Sequence, residues 1–506
     1  MRDALPPSAK VAVIGAGTMG SGIAVVAARA GHEVYLLDSF PGACDRSKKT
    51  IEKDLEKLAE RGRISRDDAA ATAARIHPVH KMLALADASF VVEAIAEDLD
   101  AKRTLYHGLE VEVSPECVIA SNTSSLSITA LAQGMQHPGR LVGMHFFNPA
   151  PRMALVEIVS GLSTDPAVAA LAAAAAKAWG KTPVHTASSP GFIVNRVARP
   201  YYSEAMRFLT EQAGTPVTLD TVMRDCGGFP MGPCELMDLI GLDVNLAVTS
   251  QVFQALGHDR RYAPSLLQQE LVRAGRLGRK SGKGFFDYGA DADHPVPVEE
   301  APLEAAGKIA VVGEIAPLQP LLDRLTQAGV DIKVSKGPAH VEIGAANVAL
   351  TDGRTATRRA AEEHRRDLVL IDLCFDYQKS PRVAVTRADQ CHEQAYVAVV
   401  GNLQKAGFRV TPLTDIAGMV VMRTVAMLAN EAADVAAQGI ADAPDIDTAM
   451  LLGTHYPIGP LAWADRLGPA FVASVLEHLR AHYGEERYRV SPALNQLRWN
   501  GGKFHG

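Results

Sequence analysis

The sequence predicts an α/β Rossmann domain, an all-helical domain, a degenerate second α/β domain and a second helical copy. Three observations carry this. A glycine-rich loop sits between a strand pattern and a helix pattern at the start of the chain. Strand patterning gives way to long helices from Pro190. The first of those helical segments then recurs, at one constant offset, from Gly418.

The chain has 506 residues, room for about three domains. Apolar residues make up 47% and charged residues 21%, an ordinary globular balance. Lys+Arg total 51 against Asp+Glu 57, a net charge of −6, so there is no basic excess for neutralising phosphates and nucleic acid is excluded as a partner. No run of 18 apolar residues exists to cross a membrane. MRDALPPSAK carries no apolar signal core. The six cysteines form no CxxC pair, which disfavours a metal cluster or a disulfide framework and points to a reducing cytoplasm.

Val11 to Ile14 reads as a buried parallel strand, followed by Gly15-Ala16-Gly17-Thr18-Met19-Gly20, a helix from about Met19 to Ala30, and a strand from Glu33 to Leu37 ending in Asp38. Gly15 permits the tight turn, Gly17 the approach of a pyrophosphate, and Gly20 close packing of helix on strand. The N–H groups of Thr18 and Met19 open the helix and face the phosphates. Asp38 accepts from ribose hydroxyls and repels a 2′-phosphate, so NAD is expected rather than NADP. FAD needs more surrounding chain and a second motif.

Ile51, Leu55 and Leu58 mark an amphipathic helix from about Ser47 to Arg61. Ala88 to Glu97 reads as a strand running into a loop, further strands follow at Cys117 to Ala120 and Leu141 to Met144, and Lys102 lies on a helix from about Asp100. Glu97, Asn122, Ser124, His145 and Asn148 all fall just after strands, at the edge where doubly wound sheets bind ligands. Glu157 is an acid inside the apolar run Leu155 to Val159. Buried, it needs a partner. His145, across the turn Asn148-Pro149-Ala150-Pro151, is one choice, and a His so held is a general base or acid. Arg152 is the other.

With these residues in view, the NAD fingerprint, SNTSSLSIT, HFFNPAPRMALVEIV, PGFIVNRV and KSGKGFFDY closely resemble the L-3-hydroxyacyl-CoA dehydrogenase family over residues 10 to 290. The resemblance implies a 6-phosphogluconate-dehydrogenase-like helical domain, NAD as cofactor, an acyl-CoA substrate and no metal. It implies that His145 is the base for the 3-hydroxyl, that Glu157 orients it, and that Ser124 and Asn195 hold the substrate oxygen and nicotinamide region. Glu97, Lys102, Asn122, Asn148 and Lys280 match NAD-contacting positions. Asp54 and Arg61 fall near CoA-contacting positions with different residue types.

GFIVNRVARPYYSEA aligns with GMVVMRTVAMLANEA, and FPMGPCELMD with YPIGPLAWAD. Arg196 pairs with Arg423, Glu204 with Glu431, Gly232 with Gly459, and Asp238 with Asp465. Met422 replaces Asn195, and KSGKGF has no evident counterpart after Asp465, so the second copy is expected to be non-catalytic. Between the copies, strands are expected at 308–313, 367–372 and 396–400 and a helix at 318–328. Glu314 sits where a pyrophosphate would lie, against a second NAD. The expected domains are 1–187, 188–288, 306–412 and 413–506, with a linker over 287–307. The second helical copy is expected either to pair with the first, a dimer within one chain, or to join a homo-oligomer.

Two-copy dehydrogenases of this length resemble those of bacterial phenylacetate catabolism, which implies oxidation of 3-hydroxyadipyl-CoA to 3-oxoadipyl-CoA. The alternative is 3-hydroxybutyryl-CoA. A substrate carboxylate wants a cation, and Arg152, Arg196 and Arg199 are candidates. The 3-hydroxyisobutyrate and phosphogluconate group, which uses a catalytic lysine, and a non-catalytic binding protein are the competing classes.

Overall fold

The computed structural model describes residues 4–293 and 295–506. Met1 to Asp3 and His294, the latter within the expected linker, lie outside the described residues. The chain forms two compact units, and their limits do not follow chain order. The first takes in the chain to Val194 together with Gln438–Thr454, and the second takes in Asn195–Ala437 and His455–Gly506.

The first unit is built on eight strands: β1 (Val11–Ile14), β2 (Val34–Leu37), β3 (Ile76–Val79), β4 (Phe90–Glu93), β5 (Val118–Ser121), β6 (Leu141–Phe146), β7 (Leu155–Ser160) and β8 (Thr182–Ala187). Their order is β3-β2-β1-β4-β5-β6-β7-β8, and only the β6–β7 pairing is antiparallel. Alternate side chains of β1 serve two cores. Val11 and Val13 join the apolar cluster containing Ile23, Ala24 and Ala27 of the helix Thr18–Arg29. Ala12 and Ile14 join the other cluster, with Tyr106 and Leu109 of the helix Leu99–Glu112. Both faces are therefore covered, as a parallel sheet requires.

The edge strand β8 is closed by chain from the second helical copy. The His185 N–H donates to Asp445 at 2.7 Å, and the Ala187 N–H to the Ile440 carbonyl at 2.7 Å. Gly453, ending the helix Ala443–Gly453, leaves room for Leu155 and Val194.

The second unit holds β9 (Ile309–Val312), β10 (Ile332–Ser335), β11 (His340–Ile343), β12 (Ala346–Leu350), β13 (Leu368–Ile371), β14 (Arg382–Arg387) and β15 (Arg409–Pro412), in the order β10-β9-β11-β12-β13-β14-β15. The last four strands repeat the β5–β8 pattern: parallel, antiparallel, parallel. The constant offset of the helical repeat extends into this sheet. It sets Leu368 against Leu141, Asp372 against His145, and Ala384 against Glu157. On β14 sits the helix Pro216–Asp225 of the first helical copy, held by Arg382 to Asp225 at 2.9 Å and the Phe375 N–H to the Cys226 carbonyl at 2.8 Å. Pro216–Asp225 and Ala443–Gly453 are equivalent helices, so each helical copy covers the sheet that belongs to the other copy.

Within the second unit the helix Arg199–Thr210 packs on its counterpart in Val421–Ala437. The contact is reciprocal. Arg196 pairs with Glu431 at 2.8 Å, and Arg423 with Glu204 at 3.3 Å. Arg261 and the Tyr262 hydroxyl also reach Glu431, as Arg487 and the Tyr488 hydroxyl reach Glu204. All four paired residues are buried, and mutual pairing is what makes their burial tolerable.

Several expectations are corrected. Tyr396 to Val400 is not a strand but part of the helix Glu393–Lys405. Ala395, Val399 and Leu403 recur along its buried face, and a five-residue β-branched window hides that period. The first amphipathic helix begins at Ala43 rather than Ser47. The segment around 299–304 is strapped to the second sheet: the Glu300 N–H donates to Val410, and Glu299 pairs with Arg382. KSGKGF also has a counterpart. The carboxylate of Asp238 accepts the Phe285 and Phe286 N–H groups, and Asp465 likewise accepts those of Phe504 and His505. A shorter intervening segment breaks the offset there, which conceals the match.

Candidate active site

The antiparallel register of β6 and β7 sets His145 directly opposite Glu157. His145 Nδ1 lies 2.6 Å from Glu157 Oε2. The other oxygen, Oε1, accepts the N–H groups of Ile193 and Val194, each at 3.0 Å. Both residues are buried. A carboxylate on Nδ1 fixes the proton there and leaves Nε2 to act on a substrate. Phe147 and Phe192 hold the imidazole, with ring centroids 4.5 and 5.8 Å away. Arg152, the other candidate partner for Glu157, is exposed.

Beside this pair the β5 loop is fastened down. Asn122 Oδ1 accepts the Phe146 N–H at 2.8 Å, tying the loop to β6 next to His145. Glu97 Oε1 accepts from the Thr123 hydroxyl at 2.6 Å, the Ser124 N–H at 2.9 Å and the Ser125 hydroxyl at 2.9 Å. The Ser124 hydroxyl lies 3.3 Å from the same oxygen. Burial alone would raise the Glu97 pKa. These donors and the Lys102 charge outweigh it and hold the carboxyl below its ordinary value.

Lys102 is only 1% exposed and sits between Glu93 at 2.6 Å and Glu97 at 3.3 Å. Its charge is spent inside the protein. Glu93, to which the sequence reading gave no role, is the buried hub: it also accepts from Tyr106, Ser121 and the Ile95 N–H. An acid closing an apolar strand was the available signal, the same one that found Glu157.

At the glycine loop the sterics are strict. A Cβ on Gly20 would sit 1.8 Å from the Gly15 carbonyl oxygen, and one on Gly15, at φ +105°, would sit 2.4 Å from the Ala94 oxygen. Around Gly17 nothing lies within 4 Å of that position, which leaves the backbone open to a pyrophosphate. The helix Thr18–Arg29, opened by Thr18 and Met19, has no side-chain cap, so its first N–H groups lack that partner, and a cleft of about 530 Å³ is lined by Gly17, Thr18, Ser21, Arg46 and Ser47. Asp38 accepts the Ala16 N–H at 2.7 Å and the Phe40 N–H at 2.8 Å, which sets its carboxylate beside the loop. These residues fit NAD.

The remaining candidates come from other segments of the chain. Asn148 is exposed on the turn after β6, before a cis Pro149. Arg61 is exposed at the C-terminal end of its helix. Asn195 and Lys280 belong to the second unit, where the Asn195 carbonyl accepts from Arg199 Nε and Lys280 pairs with Asp243 at 2.7 Å.

The second copy lacks this chemistry. Asp372 stands for His145, and Ala384 for Glu157. Asp372 Oδ2 takes the N–H groups of Val420 and Val421, and Oδ1 that of Met422. Val420 and Val421 are the counterparts of Ile193 and Val194, the donors to Glu157. One carboxylate has kept the structural half of the dyad. Burial pushes its pKa up to about 6 despite those donors.

The domain described as "3-hydroxyacyl-CoA dehydrogenase, NAD binding domain" matches residues 10–189. "3-hydroxyacyl-CoA dehydrogenase, C-terminal domain" matches twice, at 191–288 and 418–503, and a "3-hydroxybutyryl-CoA dehydrogenase reduced Rossmann-fold domain" matches 348–416. A 3-hydroxyadipyl-CoA dehydrogenase of Escherichia coli (strain K12) is 44% identical over 96% of both chains. The chain belongs to the 3-hydroxyacyl-CoA dehydrogenase family. It is thus an NAD-dependent oxidoreductase acting on CH–OH groups. A crystal structure named as a 3-hydroxybutyryl-CoA dehydrogenase, from Escherichia coli K12, superposes with a TM-score of 0.89 at 42% identity, covering 97% of this chain and 98% of that one. A probable 3-hydroxybutyryl-CoA dehydrogenase of Deinococcus radiodurans is 43% identical, but its whole length corresponds to 55% of this chain. In this family the two-copy form thus extends beyond the single-copy members. Among the described residues no single helix is long and apolar enough to cross a membrane.

Proposed function

We propose that the chain oxidises (S)-3-hydroxyadipyl-CoA to 3-oxoadipyl-CoA with NAD, in the cytoplasm and as a step of phenylacetate catabolism, using its first copy alone. With this go the domain assignments 1–187, 188–288, 306–412 and 413–506, and pairing of the helical copies within one chain. The observation that carries the chemistry is the buried His145–Glu157 pair at 2.6 Å, with the second carboxylate oxygen already satisfied by backbone.

His145 Nε2 removes the proton of the 3-hydroxyl as the C3–H bond breaks. NAD, when bound, supplies the hydride acceptor. Glu157 keeps the imidazole in one tautomer and favours the imidazolium that forms. Ser124 and Asn195 donate to the substrate oxygen, stabilising charge that develops on it. Gly15, Gly17, Thr18, Met19 and Gly20 receive the pyrophosphate, Asp38 the ribose hydroxyls, and Glu97, Asn122, Asn148 and Lys280 the remainder of the cofactor. Lys102 acts through Glu97. Arg61 is the candidate contact to CoA.

The acyl group rests on the 44% identity to the 3-hydroxyadipyl-CoA enzyme along nearly all of both chains. The name of the superposed crystal structure favours 3-hydroxybutyryl-CoA as the second reading. NADH formation across a panel of 3-hydroxyacyl-CoAs separates them. A kcat/KM at least about tenfold higher for hydroxyadipyl, about 1.4 kcal/mol, is expected. A preference for hydroxybutyryl would keep the enzyme class and overturn the acyl assignment.

A further inference from the structure

Three arginines were candidates for reading a carboxylate on the acyl chain, and the structure separates them. Arg196 is consumed by Glu431, and its repeat partner Arg423 is consumed in the same way by Glu204. Arg152 is exposed. Arg199 differs from both. It is 5% exposed, yet among the described residues no carboxylate lies within ion-pair distance of it.

Its neighbours are neutral. Nε donates to the Asn195 carbonyl at 2.7 Å, Nη1 to the Thr249 hydroxyl at 3.1 Å, and the Tyr202 ring lies 4.9 Å from the guanidinium carbon. These contacts leave Nη2 without a protein partner among the described residues. Burial pulls the Arg199 pKa down, and the neighbouring Tyr202 and Tyr456 offset it only in part. Arg199 lines a cavity of about 610 Å³ with Tyr202, Ser203, Met206, Thr249 and Gln268. One turn further along, Ser203 Oγ is buried with no hydrogen-bond partner. A buried cation and a buried hydroxyl thus stand ready on one wall for an anion.

The second copy serves as an internal control. Arg196 and Glu204 recur as Arg423 and Glu431, so they belong to the framework of the helix pair. Arg199 recurs as Ala426, and Asn195 as Met422. The framework does not need an arginine at this position. It is present only in the copy that carries His145.

We infer that Arg199 is a specificity-determining residue, binding the terminal carboxylate of a dicarboxylyl-CoA substrate through Nη2 with the help of Ser203. The inference rests on the proposed function, in which Asn195 donates to the 3-oxygen. Arg199 lies four residues on, where the helix Arg199–Thr210 begins, and its Nε bond to the Asn195 carbonyl holds the guanidinium beside Asn195. Three carbon–carbon bonds, about 4 Å end to end, separate C3 from the carboxyl carbon of an adipyl chain. Neighbours joined in this way suit two oxygen-bearing ends so close together. A guanidinium pairs with a carboxylate by charge-assisted hydrogen bonds, and a methyl group in its place would leave the cation unpaired.

The test compares (S)-3-hydroxyadipyl-CoA with (S)-3-hydroxyhexanoyl-CoA, equal in chain length and different only at the terminal carbon. In the wild type the ratio of kcat/KM values favours hydroxyadipyl. In Arg199→Met that ratio falls by about 30-fold, mostly through KM for hydroxyadipyl-CoA. Arg199→Lys keeps the charge and retains an intermediate ratio, which also covers the case in which Arg199→Met does not fold. Ser203→Ala lowers the ratio about threefold. If the wild type prefers hydroxyadipyl and both Arg199 variants keep that preference, the role of Arg199 is overturned while the proposed function stands. If the wild type shows no preference, the adipyl reading falls first and this inference with it.

Discussion

The two halves of this chain share a framework and differ in chemistry. In the first, His145 faces Glu157 across β6 and β7. In the second, Asp372 and Ala384 hold those positions, and Asp372 keeps only the capping of the following helix. Asn195 and Arg199 have become Met422 and Ala426. The buried arginine–glutamate pairs, by contrast, appear in both copies and in reciprocal form. Residues that close the repeat are retained in duplicate, and the residues proposed to act on substrate occur once. On the proposed function, the second copy is a partner for the first rather than a second enzyme.

The strongest way to break this comparison is to remove the imidazole. His145→Ala is expected to lower kcat/KM by about 10³- to 10⁴-fold, with a melting temperature close to that of the wild type. Asp372→Ala is expected to leave kcat intact and lower stability. If both variants lost activity equally under conditions where both are folded, chemistry would not be confined to one copy.

Next in size is the shared framework. Glu431→Ala removes the buried carboxylate that Arg196, Arg261 and Tyr262 share, and Glu204→Ala the one that Arg423, Arg487 and Tyr488 share. Each is expected to cost about 3 to 5 kcal/mol in urea unfolding, by similar amounts. A loss below about 1 kcal/mol for either would remove the pairs as the reason for their duplication.

The buried carboxylate of the silent copy adds a pH signature. Asp372 has a folded pKa near 6, above its ordinary value of 3.8. The folded chain therefore binds this proton more tightly than the unfolded chain, and its contribution to stability falls as pH rises from about 4 to about 7. The expected loss is about 3 kcal/mol relative to Asp372→Asn, read from unfolding curves at both ends of that window. A difference independent of pH would mean that the capping N–H groups fully offset burial.

The smallest effect sharpens the cofactor side. Glu97→Gln is expected to raise KM for NAD about fivefold, because it weakens the clasp on the Ser124 loop. An unchanged KM would detach Glu97 from cofactor binding.

What could be read from the sequence followed the range of the interaction. The glycine loop and Asp38 lie within thirty or so residues of one another, and local sterics dictate them. Glu157 was legible because an acid in an apolar strand demands a partner, and the spacing to His145 offered one. Glu93 sends the same signal from a strand end, but its partners Tyr106 and Ser121 declare themselves only when the sheet is folded. The repeat was legible where its side chains were kept. At Asp372, where the residue type had changed, only the shared strand order reveals the match. Tyr396 to Val400 was misread because a short β-branched run looks alike in a strand and in a helix packed on a sheet. The exchange of Pro216–Asp225 and Ala443–Gly453 between the two sheets leaves no local trace at all.

Calorimetric titration of the intact chain with NADH tests the division between the copies most directly. One equivalent bound per chain is the predicted result, since only the first α/β domain carries the open glycine loop. Two equivalents of comparable affinity would contradict it and make the second copy a working nucleotide site.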